Sequence, residues 1–163
     1  MWTTVASFAR AAAIPAALLL TAPAVWAGDA LSVVQSYLAA WNAHESAAAA
    51  ALMSDEVRYY DASVGTPVEG RDAAKTQVID AFLNAAPDAV WAIEGAPVVA
   101  NDAVTFEWVF SGTNTGDWAD GTAATGKPFS FHGMSMFRVD GDKITYQADY
   151  YDALGFYKQL GLM

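Results

Sequence analysis

The feature that most constrains this chain is a change in the spacing of its apolar residues near Pro87. Before that proline, apolar residues recur with the period of a helix, as in the stripe Leu31, Val34, Leu38 and Trp41. After it, the chain is rich in aromatic and β-branched residues, which favour strands. Helices followed by a run of strands are typical of an α+β fold, because parallel α/β sheets alternate the two elements.

The helical half is predicted to hold three helices and one strand. Asp29 can cap the first helix, the second is rich in alanine, and the third follows Gly70 and ends before Pro87. The predicted bounds are 31–41, 45–53 and 72–85 for the helices and 56–61 for the strand.

The second half is predicted to form four strands and a short C-terminal helix. An Asp-Gly pair at Asp140 lies between two apolar runs, which strongly indicates a hairpin. The predicted strands span residues 89–100, 104–113, 129–139 and 143–151, and the last helix spans 152–160.

The first 27 residues are predicted to be a secretory signal, which leaves residues 28–163 as one domain. Arg10 precedes an apolar run of 10 residues, and Val25 and Ala27 occupy the two positions that a signal peptidase reads. The run is too short to cross a bilayer, which needs about 20 residues. We therefore expect a secreted or periplasmic protein that begins at Gly28, with a retained N-terminal anchor as the alternative.

Composition argues against several classes of function. The chain has 18 acidic and 8 basic residues, and no cluster of Lys or Arg, so nucleic acids and anionic membranes are poor partners. It has no cysteine, and its two histidines, His44 and His132, are far apart in sequence, so we expect no metal site. The sequence also lacks a phosphate loop and a dinucleotide fingerprint, and we expect no cofactor.

Four segments, in order, resemble one known family. The first segment, residues 67–71, contains the glycine that precedes the third helix. The other three are residues 110–127 (FSGTNTGDWADGTAATGK), 137–144 (FRVDGDKI) and 149–162 (DYYDALGFYKQLGL). They are similar to the corresponding segments of the SnoaL-like polyketide cyclases, within the nuclear-transport-factor-2-like superfamily. The resemblance implies a cone-shaped, curved antiparallel sheet wrapped around the three N-terminal helices, with an apolar cavity and a short C-terminal helix.

The resemblance also implies a catalytic site. Cyclases of this family carry an acid/base aspartate on the last strand, and Asp149 stands at that position. They carry an asparagine near the end of the first strand, where this chain has Asp61, and a histidine on the penultimate strand, where it has Ser135. The base is retained while two of its polar partners differ, so the resemblance does not name a substrate.

Strand alternation predicts which side chains share the cavity. On the last strand, one face is predicted to carry Thr145, Gln147, Asp149 and Tyr151, and the other Ile144, Tyr146, Ala148 and Tyr150. A carboxylate buried in an apolar cavity has a raised pKa, which suits proton transfer. Asp149 is therefore the candidate base, and a solvated aspartate on the outer face is the alternative.

Tyr59 and Asp61 lie two residues apart and share a face of the first strand. Tyr59 is a candidate donor to a developing enolate, and Asp61 a candidate to hold a water or share a proton with Asp149. The alternatives are a core aromatic residue and a turn residue. Six further side chains are candidate ligand contacts: Ser135, Trp41, Phe106, Trp108, Gln147 and Tyr151.

His132 has the opposite parity to Ser135, so we expect it to face away from the cavity unless a β-bulge near Gly133 reverses the alternation. The outward face would then carry Ser130, His132, Met134, Met136 and Arg138. Exposed methionines suit a partner surface, and we expect a homodimer through the sheet.

These observations predict a cofactor-free acid/base enzyme, a cyclase or isomerase that uses aldol or enolisation chemistry on a small hydrophobic carbonyl compound. A non-catalytic protein that binds a small hydrophobic ligand is the first alternative. An epoxide hydrolase is the second, because Tyr59, Asp61 and the DYYD run resemble the limonene-epoxide-hydrolase branch. That branch needs an arginine on a central strand, and residues 104–110 contain none.

Overall fold

The computed structural model describes residues 27–163. The predicted signal lies outside these residues except for Ala27, so its cleavage stays a prediction. The helices are α1 (Ala27–Asn42), α2 (Ser46–Ala51), α3 (Arg71–Ala74), α4 (Asp80–Ala85) and α5 (Ala153–Leu160), and the strands are β1 (Met53–Asp61), β2 (Val68–Glu69), β3 (Val90–Ala100), β4 (Ala103–Thr113), β5 (Pro128–Asp140) and β6 (Lys143–Tyr151). Within the described residues, no helix combines the length and hydropathy needed to span a bilayer.

The six strands form one curved sheet in the order β2-β1-β6-β5-β4-β3. Every pair is antiparallel except β1 and β6, which run parallel and place Asp61 beside Asp149. The predicted α+β fold, with a curved sheet around N-terminal helices, is confirmed. The short strand β2 and the parallel pairing were not predicted, since β1 and β6 are far apart in sequence.

The core lies between α1 and the concave face of the sheet. Alternate residues of β4 are buried there, namely Val104, Phe106, Trp108 and Phe110. The predicted stripe of α1 faces them, because Val34, Leu38 and Trp41 are buried and α1 contacts β3, β4, β5 and β6. Aromatic rings therefore fill most of the space that the sheet encloses.

The helical bounds differ from the prediction in two places. The second helix is shorter than predicted, because Met53 is fully buried and already begins β1. The third helix is interrupted by a π-helical segment, Lys75–Ile79, between α3 and α4. An ion pair of 2.7 Å between Lys75 and Asp80 spans that segment.

Irregular pairing between β5 and β6 overturns one prediction. Val139 pairs with Ile144 but Arg138 pairs with Tyr146, so Thr145 is an extra residue on β6. An extra residue reverses the alternation on one side of it. Ile144, predicted to face outward, is consequently fully buried in the core. Beyond the bulge, Gln147 and Asp149 keep their predicted inward positions.

Candidate active site

A pocket opens on the concave side of the sheet, against α1 and α4. We call it the inner pocket, and its lining residues are Trp41, Tyr59, Asp61, Phe82, Trp91, Trp108, Phe110, Phe131, Asp149 and Tyr151. The inner pocket is narrow, with a volume of about 30 Å³, so a ligand that contains a six-membered ring must also occupy the adjoining space.

A larger space of about 250 Å³, the outer chamber, shares Asp61, Phe82 and Tyr151 with the inner pocket. Its wall also includes Trp118 from the β4–β5 loop and Phe156 from α5. The shared residues therefore mark the boundary between the two spaces.

Asp149 is the central polar group of the inner pocket and is 5% exposed. Its Oδ1 accepts a hydrogen bond of 2.5 Å from the Ser135 hydroxyl. Its Oδ2 accepts one from the Tyr59 hydroxyl and another, of 3.0 Å, from Gln147 Nε2. Behind them, Trp108 Nε1 donates to Ser135 Oγ over 2.7 Å. Side chains from four strands thus fix the position of one carboxylate.

Burial raises the pKa of Asp149 to about 6, because the apolar surroundings disfavour its charged form. Hydrogen bonds from Ser135, Tyr59 and Gln147 act in the opposite direction, and the charge of Asp61 raises the pKa further. A carboxylate with such a pKa is ionised at neutral pH and is still basic enough to accept a proton in a reaction.

The hydrogen bonds also show which acceptor positions remain open. A carboxylate oxygen can accept about two hydrogen bonds, and Oδ1 of Asp149 accepts one, whereas Oδ2 accepts two. Oδ1 therefore retains a lone pair that can take a proton. Burial raises the pKa of Tyr59 well above its ordinary value, and the charge of Asp149 adds to the effect, so Tyr59 stays protonated and keeps its bond to Asp149.

The predicted role of Tyr59 as a donor to a developing enolate stays a prediction. A phenol has one proton, and that of Tyr59 is already donated to Asp149. Tyr59 thereby holds the carboxylate in place.

Asp61 lies at the rim of the inner pocket and is 8% exposed. Its Oδ1 accepts hydrogen bonds from the Ser63 amide (2.7 Å) and hydroxyl (2.6 Å), and its Oδ2 accepts one of 3.0 Å from the Tyr151 hydroxyl. Oδ2 of Asp61 therefore keeps an acceptor position, but no hydrogen bond joins the side chains of Asp61 and Asp149, and the predicted sharing of a proton stays a prediction. Asp61 acts on Asp149 through its charge.

The predicted ligand contacts fall into three groups. Trp41, Trp108 and Tyr151 line the inner pocket as predicted. Ser135 and Gln147 are fully buried and hold Asp149 rather than line the pocket. Phe106 does not line the pocket, and its ring stacks on Phe137 with the centroids 5.6 Å apart.

Several pocket residues were missed. Phe82, Phe110 and Phe131 line the pocket, and the fully buried Tyr37 lies beside Trp41 and Gln147. Helical and strand periodicity marked most of these residues as core. Periodicity gives no information on which core side chains border a pocket, so no signal in the sequence separated them.

The two histidines lie apart from this site. His132 has a side chain that is 73% exposed and pairs with Glu94 over 2.8 Å, and the β4–β5 pairing is regular through Gly133. No bulge reverses the alternation there, so His132 faces outward. His44 Nε2 lies 2.9 Å from the Ala89 carbonyl oxygen. Across residues 27–163, no three metal-ligating side chains cluster.

Comparison with known proteins identifies the family. The family model of the SnoaL-like polyketide cyclases matches residues 31–160. No protein with a curated description matches the chain.

Solved structures share the fold at low sequence identity. A SnoaL-like protein from Jannaschia sp. CCS1 has a TM-score of 0.74 and 14% identity over 83% of this chain and 94% of its own. IdmH from Streptomyces antibioticus has a TM-score of 0.67 and 21% identity over 81% and 98%. A Catenulispora acidiphila protein with a ketosteroid isomerase-like fold has a TM-score of 0.67 and 24% identity over 79% and 92%. With the family model matching most of its length, the chain belongs to the SnoaL-like polyketide cyclase family.

Proposed function

We propose that this chain is a cofactor-free acid/base enzyme of the cyclase or isomerase type that acts on a small hydrophobic carbonyl compound. The observation that carries the proposal is a buried carboxylate, Asp149, whose pKa is raised to about 6 and whose Oδ1 retains a free lone pair. The aromatic lining of the pocket favours an apolar ligand over a charged one.

The proposed step is proton transfer from carbon. Oδ1 of Asp149 takes a proton from the carbon next to a carbonyl group, and the C–H electron pair becomes the carbon–carbon double bond of an enolate, with the negative charge on the carbonyl oxygen. In an isomerisation, Asp149 returns the proton to a different carbon. In a cyclisation, the enolate carbon attacks a second carbonyl of the same molecule, and Asp149 protonates the resulting alkoxide.

Exchange of hydrogen for deuterium in cyclohexanone, followed by NMR in heavy water, tests this proposal without knowledge of the natural substrate. The wild type should accelerate exchange at the carbons next to the carbonyl. The catalysed exchange rate should be about 10²–10⁴-fold lower in the Asp149→Asn variant, because an amide cannot take the proton. Asp142→Asn, in the exposed β5–β6 turn, is the matched control and should exchange like the wild type.

The same experiment separates the enzyme from the ligand-binding alternative. Two observations are compatible with a pocket that only binds a ligand. Asp61 at the rim is already hydrogen-bonded to Ser63 and Tyr151. The chain also differs from the family at Asp61 and Ser135. Saturable binding of cyclohexanone with no exchange above the uncatalysed rate would refute the enzymatic proposal in favour of that alternative.

A homodimer through the outer face of β5 is proposed on separate grounds. Met134 is 45% exposed, between the exposed His132 and the half-buried Met136. Met134 pairs across the sheet with Tyr150, which is also exposed, and exposed apolar side chains on a sheet face suit association with a second copy. Light scattering should give twice the monomer mass at micromolar concentration. The Met134→Lys variant should have a lower mass, closer to that of the monomer. A monomer in the wild type would refute the proposal.

Export with cleavage after Ala27 is also proposed, on the order of charged, apolar and small residues at the N-terminus. N-terminal sequencing of protein recovered from the periplasm or medium should begin at Gly28. A chain that retains residues before Ala27 would contradict it.

A further inference from the structure

One aromatic side chain lies between the two spaces of the site. Phe82 of α4 lines both the inner pocket and the outer chamber. Its ring contacts that of Phe110, which lines only the inner pocket, with centroids 5.7 Å apart and planes at 86°. It also contacts the ring of Trp118, which lines only the outer chamber, with centroids 5.5 Å apart and planes at 86°. Phe82 therefore forms the helical side of the boundary between the two spaces.

The sheet supplies the other side of this boundary. Asp61 of β1 and Tyr151 of β6 are the other two residues that both spaces share. The 3.0 Å hydrogen bond from the Tyr151 hydroxyl joins them, and Ser63 donates two more bonds to Asp61. Hydrogen bonds thus fix the sheet side, whereas Phe82 is held by packing alone. The size of the side chain at position 82 consequently determines the width of the opening between the two spaces.

The position of Phe82 depends on an irregularity in its helix. The π-helical segment Lys75–Ile79 precedes α4, and the ion pair between Lys75 and Asp80 spans it. A π-helical turn inserts one residue into an α-helix, which rotates the residues beyond it by about 100°. Val78 and Ile79 of this segment are buried in the core, so the irregular turn is packed in place. The placement of Phe82 is therefore built into the helix.

The two spaces differ in size and in charge. The inner pocket, of about 30 Å³, contains Asp149, whereas the outer chamber, of about 250 Å³, does not. A group that reaches Asp149 must therefore be slim, while the outer chamber has room for a larger group. Asp61 and Asp120 line the outer chamber, and none of its lining residues within the described range is Lys or Arg. An anionic group is disfavoured there, because like charges repel.

We propose that Phe82 is a specificity-determining residue, which admits a narrow, carbonyl-bearing arm of the ligand to Asp149 more readily than a ring. The inference rests on the proposed function for the identity of the reactive group. The remainder of the ligand, a bulkier and uncharged apolar body, occupies the outer chamber. The ligand class is accordingly an open-chain ketone or aldehyde attached to an apolar ring system.

Two ketones with the same phenyl body test the proposal. In 4-phenyl-2-butanone the carbonyl is on an open chain, and in 4-phenylcyclohexanone it is part of a ring. Quenching of tryptophan fluorescence gives the Kd of each, since three tryptophans line the inner pocket and Trp118 lines the outer chamber. The wild type should bind the open-chain ketone at least about 10-fold more tightly, the scale of a small misfit in an apolar pocket.

Variants of α4 show whether Phe82 causes this preference. Phe82→Ala widens the opening and should bring the ratio of the two Kd values close to 1, and Phe82→Leu should give an intermediate ratio. The matched control is Leu83→Ala, since Leu83 packs against the core and lines neither space, and it should keep the wild-type ratio. A merely structural role would not change this ratio, because loss of folded protein affects both ligands equally.

Exchange of hydrogen for deuterium in the same two ketones adds a readout at Asp149. Each rate is compared with the uncatalysed rate of that ketone in heavy water. The wild type should accelerate exchange more in the open-chain ketone. Phe82→Ala should reduce this preference, mainly through faster exchange of the ring ketone.

The outcomes separate the two proposals. A Kd ratio that favours the open-chain ketone and falls in Phe82→Ala, without catalysed exchange of either ketone, would refute the enzymatic function and support the role of Phe82. Equal Kd values in the wild type, an unchanged ratio in Phe82→Ala, an equal fall in Leu83→Ala, or no binding of either ketone would each overturn that role. Phe82→Leu decides the question if Phe82→Ala fails to fold.

Discussion

The inner pocket and its rim each present an aspartate, and the two are paired neighbours on parallel strands. Asp149 receives its hydrogen bonds from side chains on three strands, β1, β5 and β6. Asp61 receives two of its three from Ser63, only two residues away. Pairing of the strands therefore brings both carboxylates to the site, but the donors differ. The inner carboxylate depends on the assembled sheet, whereas the rim carboxylate is held mainly by its own turn.

Gly133→Ala should disturb the inner carboxylate most strongly. A Cβ at this position would lie 2.3 Å from the Trp108 ring, so the ring must move, and its hydrogen bond to Ser135 should be disturbed. Displacement of a catalytic group by about 1 Å can cost about 10² in rate, and overpacking costs about 1–3 kcal/mol of stability. Exchange kinetics and urea unfolding measure the two effects.

The control for this variant is Gly126→Ala. Gly126 has a φ of +69° and open space around its Cβ, so the change strains the backbone without touching Trp108. It should lower stability and leave the exchange rate per folded molecule unchanged. Equal rate losses in both variants would show that the Trp108 contact has no special role.

Stability should depend on pH through Asp149. Its pKa is about 6 in the folded state and near 3.8 in the unfolded state, so between these values the folded state binds more protons. The contribution of Asp149 to the free energy of unfolding is thus present at low pH and is lost as pH rises through 6. Relative to the wild type, Asp149→Asn should gain about 1–2 kcal/mol between pH 5 and pH 8 in urea unfolding. A constant difference between the two proteins would contradict a raised pKa.

Ser135→Ala should shift the titration of Asp149 upward. After burial, the Ser135 bond is the strongest influence on the pKa of this carboxyl, and it lowers it. Loss of one hydrogen bond to a charged group should raise the midpoint of the pH–rate profile by about one pH unit. Ser130→Ala, on the exposed face of the same strand, should leave the midpoint in place. A fall in the midpoint for Ser135→Ala would reverse the assignment.

Asp61→Asn should produce a smaller shift in the opposite direction. The charge of Asp61 raises the pKa of Asp149. This effect is smaller than that of burial, which acts in the same direction, and smaller than those of the hydrogen bonds from Ser135 and Tyr59, which lower the pKa. Removal of that charge should lower the midpoint by a few tenths of a pH unit, and added salt should reduce the difference. An unchanged midpoint would mean that the rim does not influence the inner carboxylate.

Much of this comparison could be predicted from the sequence. Alternation along regular strands placed Tyr59, Ser135 and Asp149 on one side of the sheet, and the structure joins them by hydrogen bonds. The same rule failed at Ile144, because the extra residue Thr145 leaves no local signal in the sequence.

Contacts between distant elements set the other limit. Phe106 has the same parity as Trp108, yet it stacks on Phe137 and lies outside the pocket. Two hydrogen bonds join the Asn42 side chain to the backbone of Trp91, 49 positions away, and the pairing of β1 with β6 joins the two halves of the chain. Such contacts depend on three-dimensional packing, which periodicity does not encode.

Direct titration of the Asp149 carboxyl is the most direct test of the central claim, that this buried carboxylate is poised to accept a proton. Protein labelled with ¹³C-aspartate, with the Asp149 signal assigned by its loss in Asp149→Asn, gives the midpoint by NMR. The account predicts a midpoint at about 6. A midpoint at or below about 4, the range of an ordinary aspartate, would contradict it.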